Sequence, residues 1–263
     1  MSCINTDPHL PVMNMNSLAI KHCRRGFELL ESDQLDEAMK EFSSATYLGD
    51  GIAEVHMGYG MALQRSGDLD IAIREFSKAL MLSPEDGRLY LQRATALCDR
   101  GHWRDALKDL DQALAKGMSS PELYLKRGGA RHQLGHTAAA MDEYTQGIQH
   151  YPDCAALFTA RALIYLVDRQ PRLALQDCDE AIRLDPNEPM AYHHRGQAQT
   201  ALGWQIRAIK DFDRAIMLSP ATALLYFSRG QCHIACGNNR LAERDFQTAV
   251  ALDGSLVRFL NPS

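Results

Sequence analysis

The 263-residue chain contains no apolar run approaching the length needed to span a bilayer. It has no basic excess either. Against 28 lysines and arginines stand 33 acidic residues, a net charge of −5, so the electrostatic footprint of a nucleic-acid binder is missing. Residues Met1 to Leu18 lack a charged start followed by a long apolar stretch, and do not read as a secretory signal. No HExxH, phosphate-cradling glycine loop or GxSxG elbow occurs. No catalytic residue, cofactor or metal is therefore expected. Cys232, His233 and Cys236 lie close in sequence, but no second ligand pair follows at zinc-site spacing. The seven cysteines (Cys3, Cys23, Cys98, Cys154, Cys178, Cys232 and Cys236) are odd in number and irregularly spaced. That argues against a disulfide framework and for a reducing compartment, so a soluble cytoplasmic protein is expected.

What the chain has is a period. Alanine stands at 38, 72, 106, 140, 174, 208 and 242, a repeat of 34 residues, and ahead of each lies a small residue: Gly26, Gly60, Ala94, Gly128, Ala162, Gly196 and Gly230. A period of this size marks stacked units, each buried against its neighbours. In residues 53–86, helical spacing of Val55, Met57, Tyr59, Gly60, Ala62 and Leu63 predicts a first helix ending at Gly67. Gly67-Asp68 supplies a tight turn and a cap. A second helix follows over 69–82, and Ser83-Pro84 ends it. The small residues are expected where the two helices cross closest, Gly60 against Ala72. Enlarging such a site, as in Ala106→Leu or Ala174→Leu, is expected to cost roughly 1–3 kcal/mol. Gly147 replaces an alanine in the fourth unit and is expected to weaken its second helix slightly.

Numbered from Ala19, Ala53, Gly87, Pro121, Ala155, Pro189 and Ala223, the units share further rows. Position 4 reads His22, His56, Tyr90, Tyr124, Phe158, Tyr192 and Tyr226. Position 24 reads Phe42, Phe76, Leu110, Tyr144, Cys178, Phe212 and Phe246, and proline recurs at 84, 152, 186 and 220. With small residues at 8, 20 and 27, the chain resembles the tetratricopeptide repeat family from residue 19 to about 256. The resemblance implies an all-α, right-handed superhelical solenoid of seven antiparallel helix pairs, with an N-terminal arm over 1–18 and a tail over 257–263. Ser17 is a candidate cap for the first helix. Glu243 stands at position 21, which is apolar in the other six units, and a charge there suits a helix with no following neighbour.

Two further rows suggest a frame. Position 7 is Arg25, Arg93, Arg127, Arg161, Arg195 and Arg229, with Tyr59 the exception, and position 23 is acidic throughout. An ion-pair ladder, for example Arg161 with Asp177 and Arg195 with Asp211, would fix helix register. If it is partly buried, deleting one partner should cost about 3–5 kcal/mol.

In the family the first helices line a concave groove through positions 2, 5, 6, 9, 12 and 13. Here these positions include Phe27, Met57, Met61, Leu91, Gln92, Leu125, Lys126, His193, His194, Gln197 and Phe227. Methionines suit a surface that re-packs around a peptide, and Gly58 and Gly129 leave room for a ligand backbone. The expected function is a protein-interaction scaffold or adaptor that holds a partner protein or peptide in this groove. The lysines of the family's chaperone-tail clamp are absent, which disfavours a co-chaperone. The alternative is a self-assembling scaffold, with the N-terminal arm of one copy, at Leu10-Pro11-Val12-Met13, taken up by the groove or the end of another. His193-His194 adds a candidate pH-dependent contact.

Overall fold

A computed structural model describes residues 15–257, so the Leu10–Met13 segment and the tail beyond Val257 lie outside the described residues. The chain divides into two compact units, Met1–Ser119 and Ser120–Ser263. The first unit carries three antiparallel helix pairs: α1 (Met15–Glu31) with α2 (Leu35–Leu48), α3 (Ala53–Ser66) with α4 (Leu69–Leu82), and α5 (Gly87–Asp99) with α6 (Trp103–Ala115). The second carries four: α7 (Pro121–Gln133) with α8 (Thr137–His150), α9 (Ala155–Val167) with α10 (Pro171–Leu184), α11 (Pro189–Ala201) with α12 (Gln205–Leu218), and α13 (Ala223–Ala235) with α14 (Asn239–Leu252). No strand occurs among the described residues. Within each unit, every helix packs on its own partner and on the first helix of the next pair.

Each pair is joined by a turn that needs one left-handed residue, the fifteenth of its unit. Glycine supplies it five times: Gly67, Gly101, Gly135, Gly203 and Gly237 all have φ between 76 and 91. Asp33 (φ 58) and Arg169 (φ 56) supply it in the first and fifth pairs. Non-glycine residues meet steric strain there. Asp68 follows Gly67 at the start of α4, but its carboxylate accepts from Ser66 Oγ at 2.9 Å and makes no capping bond to α4. At the front of the chain α1 begins at Met15, so Ser17 lies inside the helix and does not cap it.

The small residues at position 8 are required by position 24, not by the alanine at position 20. A Cβ at Gly60 would lie 2.7 Å from Phe76 Cε1, and one at Gly128 only 2.3 Å from the Tyr144 ring. Gly26, Gly196 and Gly230 stand in the same way against Phe42, Phe212 and Phe246. Where position 8 is alanine, Ala94 and Ala162, position 24 is the smaller Leu110 or Cys178, each fully buried. One pocket is thus filled in two complementary ways. Gly147 also has a packing reason: a Cβ there would lie 2.9 Å from both Leu157 and Tyr124, and α8 is unbroken around it.

Glu243 is exposed, whereas Met39, Ile73, Leu107, Met141, Leu175 and Ile209 at the equivalent positions are half-buried. A short 3-10 turn, Gly254–Leu256, follows α14.

Candidate functional site

The first helix of each pair displays its groove positions along one face, because residues three and four apart share a side of a helix. In the first unit Phe27, Met57, Met61 and Gln92 are half-exposed on α1, α3 and α5. Leu91 is only 4% exposed. It belongs to the core and offers no contact surface. Between α3 and α5 lies a cavity of about 330 Å³ lined by Met61, Gln64, Arg65, Gln92 and Asp99. Gln64 donates to Asp99 Oδ2 at 2.5 Å, and Arg65 Nη1 donates to the Leu30 carbonyl at 2.7 Å. These bonds brace the polar wall, while the Met61 thioether and the Gln92 amide line the open space beside it.

Gly58 does not leave room for a ligand. A Cβ there would lie 2.2 Å from Phe42 Cε1, so the ring already fills the gap. Gly129 is open, with the Tyr144 hydroxyl 3.9 Å away as its nearest neighbour.

In the second unit Leu125, Lys126, Gln197 and Phe227 are half-exposed. His193 and His194 are not accessible, at 1% and 5% exposure. His193 Nε2 lies 2.9 Å from Ser228 Oγ on α13, and its ring packs 5.8 Å from that of Phe212. His194 Nδ1 lies 3.1 Å from Gln197 Oε1. Burial, reinforced by the neighbouring His194, lowers the His193 pKa to about 3. The doublet packs as neutral rings, and the expected pH-dependent contact with a partner has no surface to act through.

The charged rows meet within pairs. Arg161 Nε and Nη2 each donate to the Asp177 carboxylate at 2.8 Å, and Arg195 grips Asp211 with the same two distances. Arg93 with Asp109 and Arg229 with Asp245 are likewise bidentate, and Arg127 Nη1 reaches Glu143 at 2.9 Å. The remaining guanidinium nitrogen reaches back to the second helix of the preceding pair. Arg93 bonds Ser77 Oγ at 3.0 Å, Arg161 bonds Thr145 Oγ1 at 3.3 Å, Arg195 bonds Asp179 at 2.8 Å and Arg229 bonds Asp213 at 2.7 Å. These arginines therefore pin register between pairs as well as within them. The sequence signal of this third bond is a polar row at position 25, which includes Ser77, Thr145, Asp179 and Asp213.

The first two pairs build the rung differently. His22 Nδ1 lies 2.6 Å from Glu41, and His56 Nδ1 lies 2.7 Å from Glu75. Arg25, displaced from the rung, bonds Glu28 on the surface at 3.0 Å.

Burial pushes the Cys23 thiol up to about 11 and that of Cys178 higher still. Among the described residues no group of three or more His, Cys, Asp or Glu could hold a metal ion, and no helix is long and apolar enough to cross a membrane.

Family models described as tetratricopeptide repeat match residues 53–86, 91–153, 133–189 and 191–222. Among solved structures, the chain is similar to a tetratricopeptide repeat protein from Parabacteroides merdae, with 18% identity and a TM-score of 0.76 over 92% of this chain and 96% of that one. It is also similar to a chain of the APC/C hetero-tetramer Cut9-Hcn1, with 18% identity and a TM-score of 0.75 over 94% of this chain. It covers 47% of that chain, about half its length. A third similar structure is PilW, a widely conserved type IV pilus biogenesis factor, with 15% identity and a TM-score of 0.71 over 78% of this chain and 95% of that one. At these identities the likeness is one of fold.

Proposed function

The chain belongs to the tetratricopeptide repeat family, a fold of protein-interaction scaffolds, and from that premise we propose that it holds a segment of a partner protein along the face of its first helices. The observation that carries this reading is the cavity between α3 and α5. Its mouth joins an adaptable thioether, Met61, to the amide of Gln92, beside a wall braced by the Gln64–Asp99 and Arg65–Leu30 hydrogen bonds. An amide can pair with either polar group of a peptide backbone, and a methionine re-packs around side chains of differing shape. The wall is already ordered, so little side-chain entropy is lost on binding. Phe27 and Met57 extend this surface in the first unit; Leu125, Lys126, Gln197 and Phe227 supply the corresponding positions in the second. The protein acts as an adaptor and not as a catalyst, in a cytoplasmic setting that suits its reduced cysteines.

Replacing Gln92 with a photoreactive amino acid and irradiating the chain in an extract of its source cells tests the reading. Crosslinks to a discrete set of proteins, competed by unlabelled chain, are expected. Crosslinks no different from those of the same group placed at exposed Lys108 would refute it.

A further inference from the structure

A second surface lies in the second unit. At the turn of the sixth pair, the start of α12 and the end of α13 border an open groove of about 940 Å³. Its apolar lining includes Trp204, Ile206, Ile209 and Ala235, and its charged lining residues are Arg207 and Lys210. Trp204 is 43% exposed and Ile206 75%.

The frame does not require these side chains. Position 16 reads Gln34, Asp68, His102, His136, Gln170 and Asn238 in the other units, and position 18 reads Asp36, Asp70, Arg104, Ala138, Arg172 and Arg240. All are polar, charged or small, as an exposed turn should be. In the sixth unit alone both positions become large and apolar, and both side chains stay exposed. Clustered apolar exposure of this kind marks an interaction surface, and tryptophan is among the residues most enriched where binding energy concentrates.

The charge is specific too. The Arg207 guanidinium lies 5.2 Å from the centroid of the Trp204 ring, where a cation–π contact fixes ring and charge together. Lys210 follows three residues on, on the same side of the helix. Both charges are positive in a chain whose net charge is −5. The groove's sign therefore opposes that of the molecule and selects against basic segments.

We propose that this groove is a second docking site, for an acidic amphipathic segment of a partner protein whose apolar residues pack on Trp204 and Ile206 and whose carboxylates meet Arg207 and Lys210. It goes beyond the proposed cavity between α3 and α5, with which it shares no lining residue. A concave groove suits a peptide ridge better than a flat lipid surface.

The test uses a Trp103→Phe chain, which leaves Trp204 as the sole indole. Two synthetic helical peptides serve as probes, with leucines at i, i+3, i+4 and i+7 and the remaining positions glutamate in one and lysine in the other. The glutamate peptide should change Trp204 emission saturably and bind at least tenfold more tightly than the lysine peptide. Ile206→Glu, at a solvent-facing position that leaves helicity intact, should weaken it at least tenfold. Arg207→Glu/Lys210→Glu should reverse the preference between peptides, and Met61→Glu/Gln92→Glu should leave it unchanged. Equal binding of both peptides, or binding that survives Ile206→Glu or ignores the charge reversal, would overturn the proposal. So would a response to phosphatidylserine vesicles with none to either peptide.

Discussion

His56 Nδ1 lies 2.7 Å from Glu75 Oε2, and its other ring nitrogen lies 2.7 Å from the carbonyl of Asp50. This histidine holds the buried carboxylate of the second pair, where the later pairs use an arginine three residues further along the helix. Burial pulls the Glu75 pKa up, but hydrogen bonds from Lys78 and His56 outweigh it and leave the carboxyl below its ordinary range. The substitution also explains Tyr59, which occupies the arginine's place because the rung is already made. His56→Tyr should leave the buried carboxylate to Lys78 alone, with one oxygen unpaired, and cost about 1–3 kcal/mol. Adding Tyr59→Arg installs the tyrosine–arginine arrangement of the third, fourth, sixth and seventh pairs and should recover most of the loss. Urea denaturation of the single and double variants decides the matter: a double variant no more stable than the single one would rule out the equivalence of the two rungs.

The pairing of position 8 with position 24 gives a second prediction. Gly60→Ala places a methyl group 2.7 Å from the fully buried Phe76 ring and should destabilise by about 1–3 kcal/mol. Gly60→Ala/Phe76→Leu copies Ala94 with Leu110 and should be more stable than Gly60→Ala alone. Thermal melts of the three chains measure this, and additive losses would show that the two sites are not one pocket.

Arg169 stores strain that its five glycine equivalents avoid. It sits at φ 56, where Gly67, Gly101, Gly135, Gly203 and Gly237 stand in the other turns. Arg169→Gly should therefore stabilise the chain by up to about 1 kcal/mol, the left-handed penalty less the added freedom of glycine when unfolded. Asp33→Gly should gain less, because aspartate tolerates this conformation. A midpoint of denaturation unchanged or lowered in Arg169→Gly would show that the turn is held by something other than backbone preference.

His193 makes stability depend on pH. Its folded pKa of about 3 lies below the ordinary 6.5, so between these values the unfolded chain binds more protons. The contribution is complete above about pH 6.5 and falls as pH drops towards 3, by up to about 1.4 kcal/mol per pH unit. His193→Gln removes the titrating group and should flatten the difference between pH 6.5 and 4.5. Parallel stability curves for wild type and variant over that range would exclude His193 as the source.

The frame was legible because it repeats. Seven copies of an alanine and a position-8 small residue expose the helix pairs, and Ser83-Pro84 marks where α4 stops. The face was less legible, because a groove position and a core position share the same helical spacing. Leu91 and His193 read as surface from spacing, yet both are buried, His193 against Ser228 of α13. Gly58 reads as space, yet Phe42 from the preceding pair occupies it. Contacts between pairs decide these cases, and a pattern read one unit at a time does not contain them. The Trp204–Ile206 groove carries a signal that the period alone does not expose, a departure from the repeat at positions 16 and 18, and its shape depends on how α12 meets α13.

The central claim, that partners are held on the first-helix face, is tested most directly by comparing proteins retained from the source-cell extract by immobilised wild type and by Met61→Glu/Gln92→Glu. Both residues are half-exposed, so the variant should keep its helicity while losing a defined set of proteins that wild type retains. Identical sets, at equal helicity, would contradict the account and place binding on another surface.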